Sequence, residues 1–527
     1  MRFDFPYPSH RVPVFGNAAA ATTQPLAAQA GLDILRNGGN AVDAALATAI
    51  ALTVVEPTMN GVGGDLFAIV HTGFALHGLN ASGPAPAGID TGRLHSLPAM
   101  PLIGWDSVTV PGAPAGCAAL HERFGSKPFE ALFRSAIGYA RDGFPVPWVV
   151  ARQWELQASW FRGQPGFDAT FLPNERAPMA GERFRNPGLA ETLSDIAATR
   201  ARSFYEGQLA RRIAAFAADT GGALDLEDLA SYKPEWVTPL TQRYRGVTVH
   251  ELPPNGQGIA ALIALALLDQ IAEPGARLDD PDDTHLAIAA MRLALADVYD
   301  HVADPAAMRT TPGKLLAPDR LRSLAGRIDP SRTSGLAPKP SRAEGTVYVT
   351  AADRAGMMVS LIQSNYRGFG SGLVVPGTGI ALHNRGSCFS TDPASPNAVG
   401  PGRRPMNTII PAFITEADGA PLAAFGVMGG SIQAQAHVQV VRRLVDHDLQ
   451  PQACLDGHRW RVADDGMLQV EETMPEDLQA ALAGKGHRLR TIPAWSHESG
   501  AGQIIIRRGD AYVAASDGRR DGYAAVI

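Results

Sequence analysis

The junction between Gly345 and Thr346 has the residue types and the order that nucleophilic chemistry needs. A threonine hydroxyl attacks a carbonyl once a base removes its proton, and an N-terminal threonine carries that base in its own α-amine, whose pKa is about 8. Glycine before the threonine tolerates unusual backbone angles, so the hydroxyl can approach the preceding carbonyl for an N-to-O acyl shift. The alternative is that Thr346 is an ordinary β-branched residue at the start of a strand.

The segments around this junction predict a flexible loop followed by a hairpin. Residues 334–345 are polar and contain two prolines, which predicts an exposed, mobile segment. The chain then becomes apolar and β-branched, turns at 353–356 and returns, as a hairpin does. Strands are predicted at 66–71, 346–350, 357–363, 503–507 and 511–515.

Apolar residues recur at helical spacing in several other segments. The first such helix should end at Asn37 and the two glycines after it, and Asn40 with Asp43 should cap the next. Strands flanked by helices predict a layered α/β architecture. Helices are predicted at 24–36, 40–55, 187–212, 259–271, 283–302 and 433–445.

Composition excludes several classes of protein. An apolar content of 45% rules out a disordered chain, and 46 basic against 52 acidic residues, a net charge of −6, argues against nucleic-acid binding. The three cysteines are far apart, so neither a disulfide framework nor a cysteine-based zinc site is expected. The first residues contain no apolar run typical of a secretory signal, and the run at 44–55 is too short to span a bilayer. A cytoplasmic protein without membrane contact is therefore expected.

Common catalytic motifs are missing from the sequence. It contains no GxSxG elbow, no HExxH and no P-loop. The glycine-rich loop at 59–65 follows a helix and precedes a strand, the reverse of a phosphate-binding loop, and is predicted to be a structural turn. No metal or organic cofactor is expected, because the histidines lack companions with ligand-like spacing, as at His71, His77, His447 and His497.

Several motifs, in order over nearly the whole chain, resemble the gamma-glutamyltranspeptidase family. They are GLDILRNGGNAVDAA at 31–45, EPTMNGVGGD at 56–65, Gly345-Thr346 with Ser364, NYRGFGSG at 365–372, NRG at 384–386, GRRP at 402–405, MGGS at 428–431 and ASD at 515–517. The pattern looks most like the bacterial glutathione-hydrolase-like members that lack a signal peptide.

The resemblance implies an N-terminal nucleophile hydrolase with a four-layer αββα sandwich. The precursor would cut itself before Thr346 into a large subunit, residues 1–345, and a small subunit, residues 346–527, which together form one core. Thr346 would then take the acyl group of a small amide substrate that carries a carboxylate, and pass it to water or an acceptor amine. The resemblance leaves room for higher oligomers.

Further roles carry over from the family by position. Ser364 matches the family's second hydroxyl beside the nucleophile. Gly429 and Gly430 match the oxyanion pocket, where backbone N–H groups stabilise a tetrahedral intermediate. The alternative for this pair is a plain glycine turn before the helix at 433–445.

The residues that bind the substrate's amino-acid part in the family are largely replaced. The segment LNASGPAP at 79–86 has no counterpart of the family's carboxylate-binding arginine. Tyr366 stands at the position of the family's asparagine, Cys388 at that of its aspartate, and Asn407 and Thr408 at those of its serine pair. A thiol in place of a carboxylate cannot pair with an ammonium group. Arg385, in a segment expected to be a strand along the pocket, could bind a carboxylate instead, or it ties down a loop.

The resemblance implies hydrolysis of gamma-glutamyl amides such as glutathione. Two alternatives remain open because of these replacements. One is an acylase or amidohydrolase for a different acid, of the oxamate or cephalosporin-acylase kind. The other is a catalytically idle family member that serves as a binding protein.

Overall fold

A computed structural model describes residues 1–9, 11–333 and 345–527. Two seven-stranded sheets dominate it. The strands are β1 Val14–Gly16, β2 Ala19–Thr22, β3 Asp65–His71, β4 Leu76–Ala81, β5 Phe144–Pro145, β6 Arg183–Phe184, β7 Glu235–Val237, β8 Leu240–Tyr244, β9 Val247–Glu251, β10 Val347–Ala352, β11 Met358–Ser364, β12 Val374–Val375, β13 Ile380–Ala381, β14 Ala412–Thr415, β15 Pro421–Met428, β16 Trp460–Val462, β17 Leu468–Glu471, β18 Leu489–Ile492, β19 Ala501–Arg508, β20 Ala511–Ser516 and β21 Tyr523–Val526.

The α-helices cover the outer faces of these sheets and fill the long segment between β4 and β10. They are α1 Pro25–Arg36, α2 Ala41–Val55, α3 Thr91–His95, α4 Ala113–Phe124, α5 Arg134–Asp142, α6 Trp148–Phe161, α7 Phe167–Phe171, α8 Pro187–Thr199, α9 Arg202–Glu206, α10 Gln208–Thr220, α11 Leu226–Ser231, α12 Ile259–Ile271, α13 Pro281–His301, α14 Pro312–Leu315, α15 Pro318–Ala325, α16 Ile432–Val445, α17 Pro451–Asp456 and α18 Glu476–Gly484.

The two sheets pack face to face between two helical layers. Their strand orders are β21-β2-β10-β11-β3-β4-β7 and β1-β20-β19-β15-β14-β9-β8. Between the sheets, the Thr350 hydroxyl donates to the Ala424 carbonyl, and the Tyr348 ring packs on the backbone of Gly426. Helices α1 and α2 pack on the first sheet, and α12 and α16 pack on the second. The predicted four-layer αββα sandwich is therefore confirmed.

Most of the helices and strands that the sequence predicts are found in the structure. Helix α2 begins with the expected capping box, because the Asn40 side chain accepts from the Asp43 backbone and the Asp43 carboxylate accepts from the Asn40 backbone. The single helix predicted at 187–212 is wrong. The chain leaves the helical region at Arg200 and Ala201, whose φ angles are 51° and 63°, so three helices, α8 to α10, replace it.

Strands from both sides of residue 345 interleave in each sheet. Strands β10 and β11 lie between β2 and β3, with Val349 opposite Thr22 and Ser364 opposite Asp65. In the other sheet, β14 pairs with β9 and β20 pairs with β1. Described strands from before and after Gly345 therefore share both sheets. The mobile segment predicted at 334–345 falls, up to residue 344, outside the described residues.

Within the described parts of the chain, no helix combines the length and the apolar character that crossing a bilayer requires.

Candidate active site

Gly345 and Thr346 enter the central strand β10 through a tightly enclosed turn. Gly345 has a φ of 142°, in the region that favours glycine. A Cβ at this position would lie 2.7 Å from the backbone nitrogen of Gly368 and 2.8 Å from the carbonyl oxygen of Tyr366. The backbone around Gly345 therefore has room for glycine alone, and Thr346 is held next to it with 1% of its surface exposed.

Two hydroxyl groups converge on the Gly345 carbonyl oxygen. It lies 2.6 Å from Thr346 Oγ1 and 2.6 Å from Ser364 Oγ, and these two hydroxyl oxygens are 3.1 Å apart. Each hydroxyl has one proton to donate. If Ser364 donates to the carbonyl, Thr346 can donate to Ser364, which leaves a lone pair of the threonine free to attack. In this arrangement Ser364 polarises the Gly345 carbonyl and accepts the hydrogen bond of the Thr346 hydroxyl that would attack it.

Tyr366 turns the chain back over this cluster. Its φ of 73° is a strained value for a bulky residue, and such strain persists where the surroundings enforce it. The turn lets the Tyr366 N–H donate to Ser364 Oγ at 2.7 Å, which orients the serine hydroxyl toward Gly345. Burial raises the pKa of the Tyr366 phenol well above its ordinary value, so the phenol is neutral.

Gly429 and Gly430 form the turn between β15 and α16. Their φ angles are 136° and 68°, and a Cβ on Gly429 would lie 2.8 Å from Gly500 Cα. Gln257 Nε2 donates to the Gly430 carbonyl at 3.0 Å and fixes the orientation of the turn. Gly429 and Gly345 line the same cavity, of about 580 Å³. The pair is thus a glycine turn before a helix, and its first residue, Gly429, lies on the same cavity as Gly345.

Asp65 is the centre of a buried polar network behind these residues. Its carboxylate lies 2.8 Å from Arg385 Nε, 3.0 Å from Asn407 Nδ2 and 3.2 Å from His383 Nδ1. Burial alone would raise the pKa of the Asp65 carboxyl, but His383 and Arg385 hold it below its ordinary value. Asp65 is therefore ionised and balances the charge of Arg385.

Arg385 does not lie in a strand, contrary to the expectation from the sequence. It begins a short 3-10 helix, Arg385–Cys388, because Asn384 turns the chain after β13. Its guanidinium is buried, with Nη1 donating to Thr408 Oγ1 at 3.0 Å and its carbon 4.6 Å from the centre of the Tyr366 ring. Nη2 has no hydrogen-bond partner among the described residues. Arg385 thus ties together several elements of the site.

A second cavity, of about 470 Å³, lies beside this network. Tyr366, Cys388 and Thr408 are among the residues that line it, whereas Asn407 and Arg385 contact Asp65 behind it. Burial raises the pKa of the Cys388 thiol, so it is a neutral group in this wall. Of the four residues predicted to bind substrate, Tyr366 and Thr408 therefore line the cavity, and Arg385 and Asn407 lie behind them.

Sequence reasoning missed Asp65 and Gln257 as parts of the site. Asp65 ends the glycine-rich loop at 59–65, whose prediction as a structural turn is confirmed, since a Cβ on Gly64 would lie 2.5 Å from the Ser364 carbonyl oxygen. One signal could have identified Asp65. It is a carboxylate between the glycine-rich segment 61–64 and an apolar strand, where a charged side chain is unusual. Gln257 carries no local signal.

Known proteins are similar to this chain over nearly its whole length. The family model described as gamma-glutamyltranspeptidase matches residues 27–527. The "Oxamate amidohydrolase proenzyme" of Klebsiella pneumoniae is 34% identical, over 98% of this chain and 99% of its own length. The "Glutathione hydrolase-like YwrD proenzyme" of Bacillus subtilis is 32% identical, over 95% of this chain and 97% of its own length.

Solved structures extend the similarity to three dimensions. A crystal structure of cephalosporin acylase from Bacillus halodurans superimposes with a TM-score of 0.94 and 44% sequence identity, over 100% of this chain and 99% of that chain. Family motifs, whole-length relatives and the αββα sandwich agree. The chain belongs to the gamma-glutamyltranspeptidase family, a family of N-terminal nucleophile hydrolases.

Proposed function

We propose that this protein is a self-processing amide hydrolase that cuts itself between Gly345 and Thr346. The observation that carries the proposal is the convergence of the Thr346 and Ser364 hydroxyls on the Gly345 carbonyl oxygen. Thr346 Oγ1 attacks the carbonyl carbon and gives up its proton to Ser364 Oγ, which passes its own proton on. The C–N bond breaks as the Thr346 nitrogen takes up this proton, and the glycyl group is left on the threonine oxygen as an ester. Water then hydrolyses the ester, which leaves a Gly345 carboxylate and a free Thr346 with its α-amine and hydroxyl.

The freed Thr346 then acts on amide substrates by the same chemistry. Its α-amine takes the hydroxyl proton as Oγ1 attacks the substrate carbonyl. The backbone N–H groups of Gly429 and Gly430 stabilise the oxyanion that forms, a contribution of about 3–4 kcal/mol per donor in other hydrolases. The α-ammonium returns its proton to the leaving amine. Water, or an acceptor amine, finally releases the acyl group from Thr346.

We propose that the cavity beside the Asp65 network receives the acyl group. Tyr366 and Thr408 line it, and Arg385 positions both by direct contact. Asp65 in turn joins Arg385 to Asn407. Gamma-glutamyl amides such as glutathione are the first substrate class to test, because relatives of similar length are named glutathione hydrolases.

An acylase or amidohydrolase for a different acid is the second candidate function. The neutral Cys388 thiol and Tyr366 phenol in the wall of this cavity offer no charged partner to the ammonium group of a glutamyl substrate. Asp392, which also lines the cavity, is exposed to solvent rather than buried beside them. Relatives named for oxamate and cephalosporin substrates match the chain over nearly its whole length.

Incubating the mature protein with a gamma-glutamyl anilide, oxamate and a glutaryl amide separates these functions. Release of amine from the first alone supports the glutathione-type reaction. Hydrolysis of either of the others alone supports the second candidate. A protein that cuts itself and hydrolyses none of a broad amide panel contradicts both and favours a binding role. The matched control is Thr346→Ala, which should be inactive on every substrate.

We also propose that the two fragments stay associated in the cytoplasm. The interleaved strands support the association, and cell fractionation tests the location.

A further inference from the structure

The outward face of α6 presents large apolar side chains to solvent. Trp148, Leu156 and Trp160 follow one another on this helix at intervals of eight and four residues and are 71%, 55% and 43% exposed. The opposite face of α6 is buried in the core through Trp154 and its neighbours. A cluster of exposed apolar side chains on a folded protein commonly marks a binding site.

This face borders the space in front of Thr346. Trp148, Leu156 and Trp160 line the same cavity of about 580 Å³ as Gly345 and Gly429. A cavity of this volume suits a small organic molecule. The exposed face of α6 is therefore part of the candidate active site.

Two arginines lie at this apolar wall, and neither has a carboxylate partner among the residues that the structure describes. Arg152 also lies on the outward face of α6 and lines the cavity, and its guanidinium forms no hydrogen bond or ion pair with any described residue. The Arg367 guanidinium stacks over Trp160, 4.9 Å from the ring centre, and forms no ion pair within the described ranges. Glu498, on another wall of the cavity, accepts from Gln469. Guanidinium groups beside aromatic rings suit a flat molecule that bears a carboxylate.

The position of the freed Thr346 α-amine determines whether the acyl part or the leaving-amine part of a substrate lies against α6. The Thr346 nitrogen is bonded to Gly345 before the cut, so after the cut the amine faces the space that Gly345 occupied. That space belongs to the cavity along α6. Under the proposed mechanism the α-ammonium protonates the leaving amine, so the amine part of the substrate has to lie on this side.

We propose that the α6 face, with Arg152 and Arg367, binds the leaving-amine part of the substrate, and that this part combines a flat apolar body with a carboxylate. The proposal rests on the function proposed above. The chain's own segment before Gly345 is a poorer occupant, because residues 334–344 contain one large apolar residue and no aromatic ring to pack against this face.

Leaving-amine preference in the mature enzyme tests this assignment. Whichever acyl group the enzyme accepts is coupled to allylamine, benzylamine or para-aminomethylbenzoate, three amines of comparable basicity. The second amide should exceed the first in kcat/KM by about tenfold, and the third should exceed the second by about tenfold more. Arg152→Gln should remove the gain that the carboxylate gives, whereas Arg134→Gln, a change at an exposed helical arginine outside the cavity, should retain it. Equal rates for the three amides would overturn the assignment.

Calorimetric binding of para-aminomethylbenzoate itself supplies a readout that needs no catalysis. We expect the mature protein and Arg134→Gln to bind it alike and Arg152→Gln to bind it about tenfold more weakly. Binding of this kind in a protein that hydrolyses no amide would support the site and contradict the proposed function. Absence of binding, or equal binding by Arg152→Gln, would overturn the site even if amides are hydrolysed.

Discussion

Asp65 and Arg385 form an ion pair in which both side chains are fully buried, with 2.8 Å between Oδ2 and Nε. The two residues are 320 positions apart in the sequence. Asp65 begins β3 next to β11, and Arg385 follows the loop that carries Tyr366. The pair therefore joins the strand beside Ser364 to the wall of the acyl cavity, and its loss should affect both.

Replacing Asp65 with asparagine should destabilise the fold strongly. The change leaves the Arg385 guanidinium buried without a counter-charge, and breaking a buried ion pair in this way costs about 3–5 kcal/mol. Denaturant unfolding of the parent and of Asp65→Asn measures the loss. Glu182→Gln, which breaks an exposed pair with Arg176, is the control and should change stability little. A loss no larger than that of the control would contradict the role of Asp65.

The contribution of Asp65 to stability should disappear in acid. His383 and Arg385 outweigh burial and hold the pKa of its carboxyl below the ordinary value, which is about 3.9 in an unfolded chain. The ionised form therefore stabilises the fold fully above about pH 5, and this contribution is lost as the pH falls through the lower folded pKa. The stability difference between the parent and Asp65→Asn should shrink on acidification below about pH 4. A difference that grows would contradict the assigned charge state.

Gly345→Ala should slow the self-cleavage sharply. The new Cβ would collide with the backbone of Gly368 and Tyr366 and push the carbonyl away from Thr346. A displacement of about 1 Å at a reacting centre commonly costs about 100-fold in rate. The fraction of cut chain over time, read on a denaturing gel, measures the effect. Gly73→Ala is a matched control, since Gly73 has a φ of 92° and no atom within 4 Å of an added Cβ. Equal rates of self-cleavage in the two variants would contradict the claim that the backbone around Gly345 has no room for a Cβ.

Ser364→Ala should impair cutting and turnover without unfolding the protein. The serine hydroxyl both polarises the Gly345 carbonyl and accepts from Thr346, so its loss should slow the cut by about 100-fold to 1000-fold. Ser360→Ala provides the comparison, because Ser360 is buried in the same strand and bonds Tyr348 instead. Similar cutting rates in the two variants would exclude a role for Ser364.

Local features of the site were predictable from the sequence because their signals are local. The capping box of α2, the hairpin of β10 and β11, and the glycines before Thr346 and α16 depend on residues within a few positions of each other. The motif order then led to the family and to the four-layer fold.

Long-range partners were not predictable in the same way. Nothing near Arg385 in the sequence indicates that Asp65 neutralises it, since the pairing depends on how β3 and the loop after β13 meet in space. The spacing of Trp148, Arg152, Leu156 and Trp160 does predict one helix face, but only the fold places that face in front of Thr346.

The mass of the purified protein under denaturing and native conditions tests the central claim most directly. The account predicts two polypeptides on denaturation, residues 1–345 and 346–527, the second beginning with Thr346. Under native conditions it predicts a single species that contains both in equal number, with their combined mass or a whole multiple of it. Thr346→Ala should give one intact chain of 527 residues. An uncut parent chain, or a cut at any other bond, would contradict Thr346 as the nucleophile.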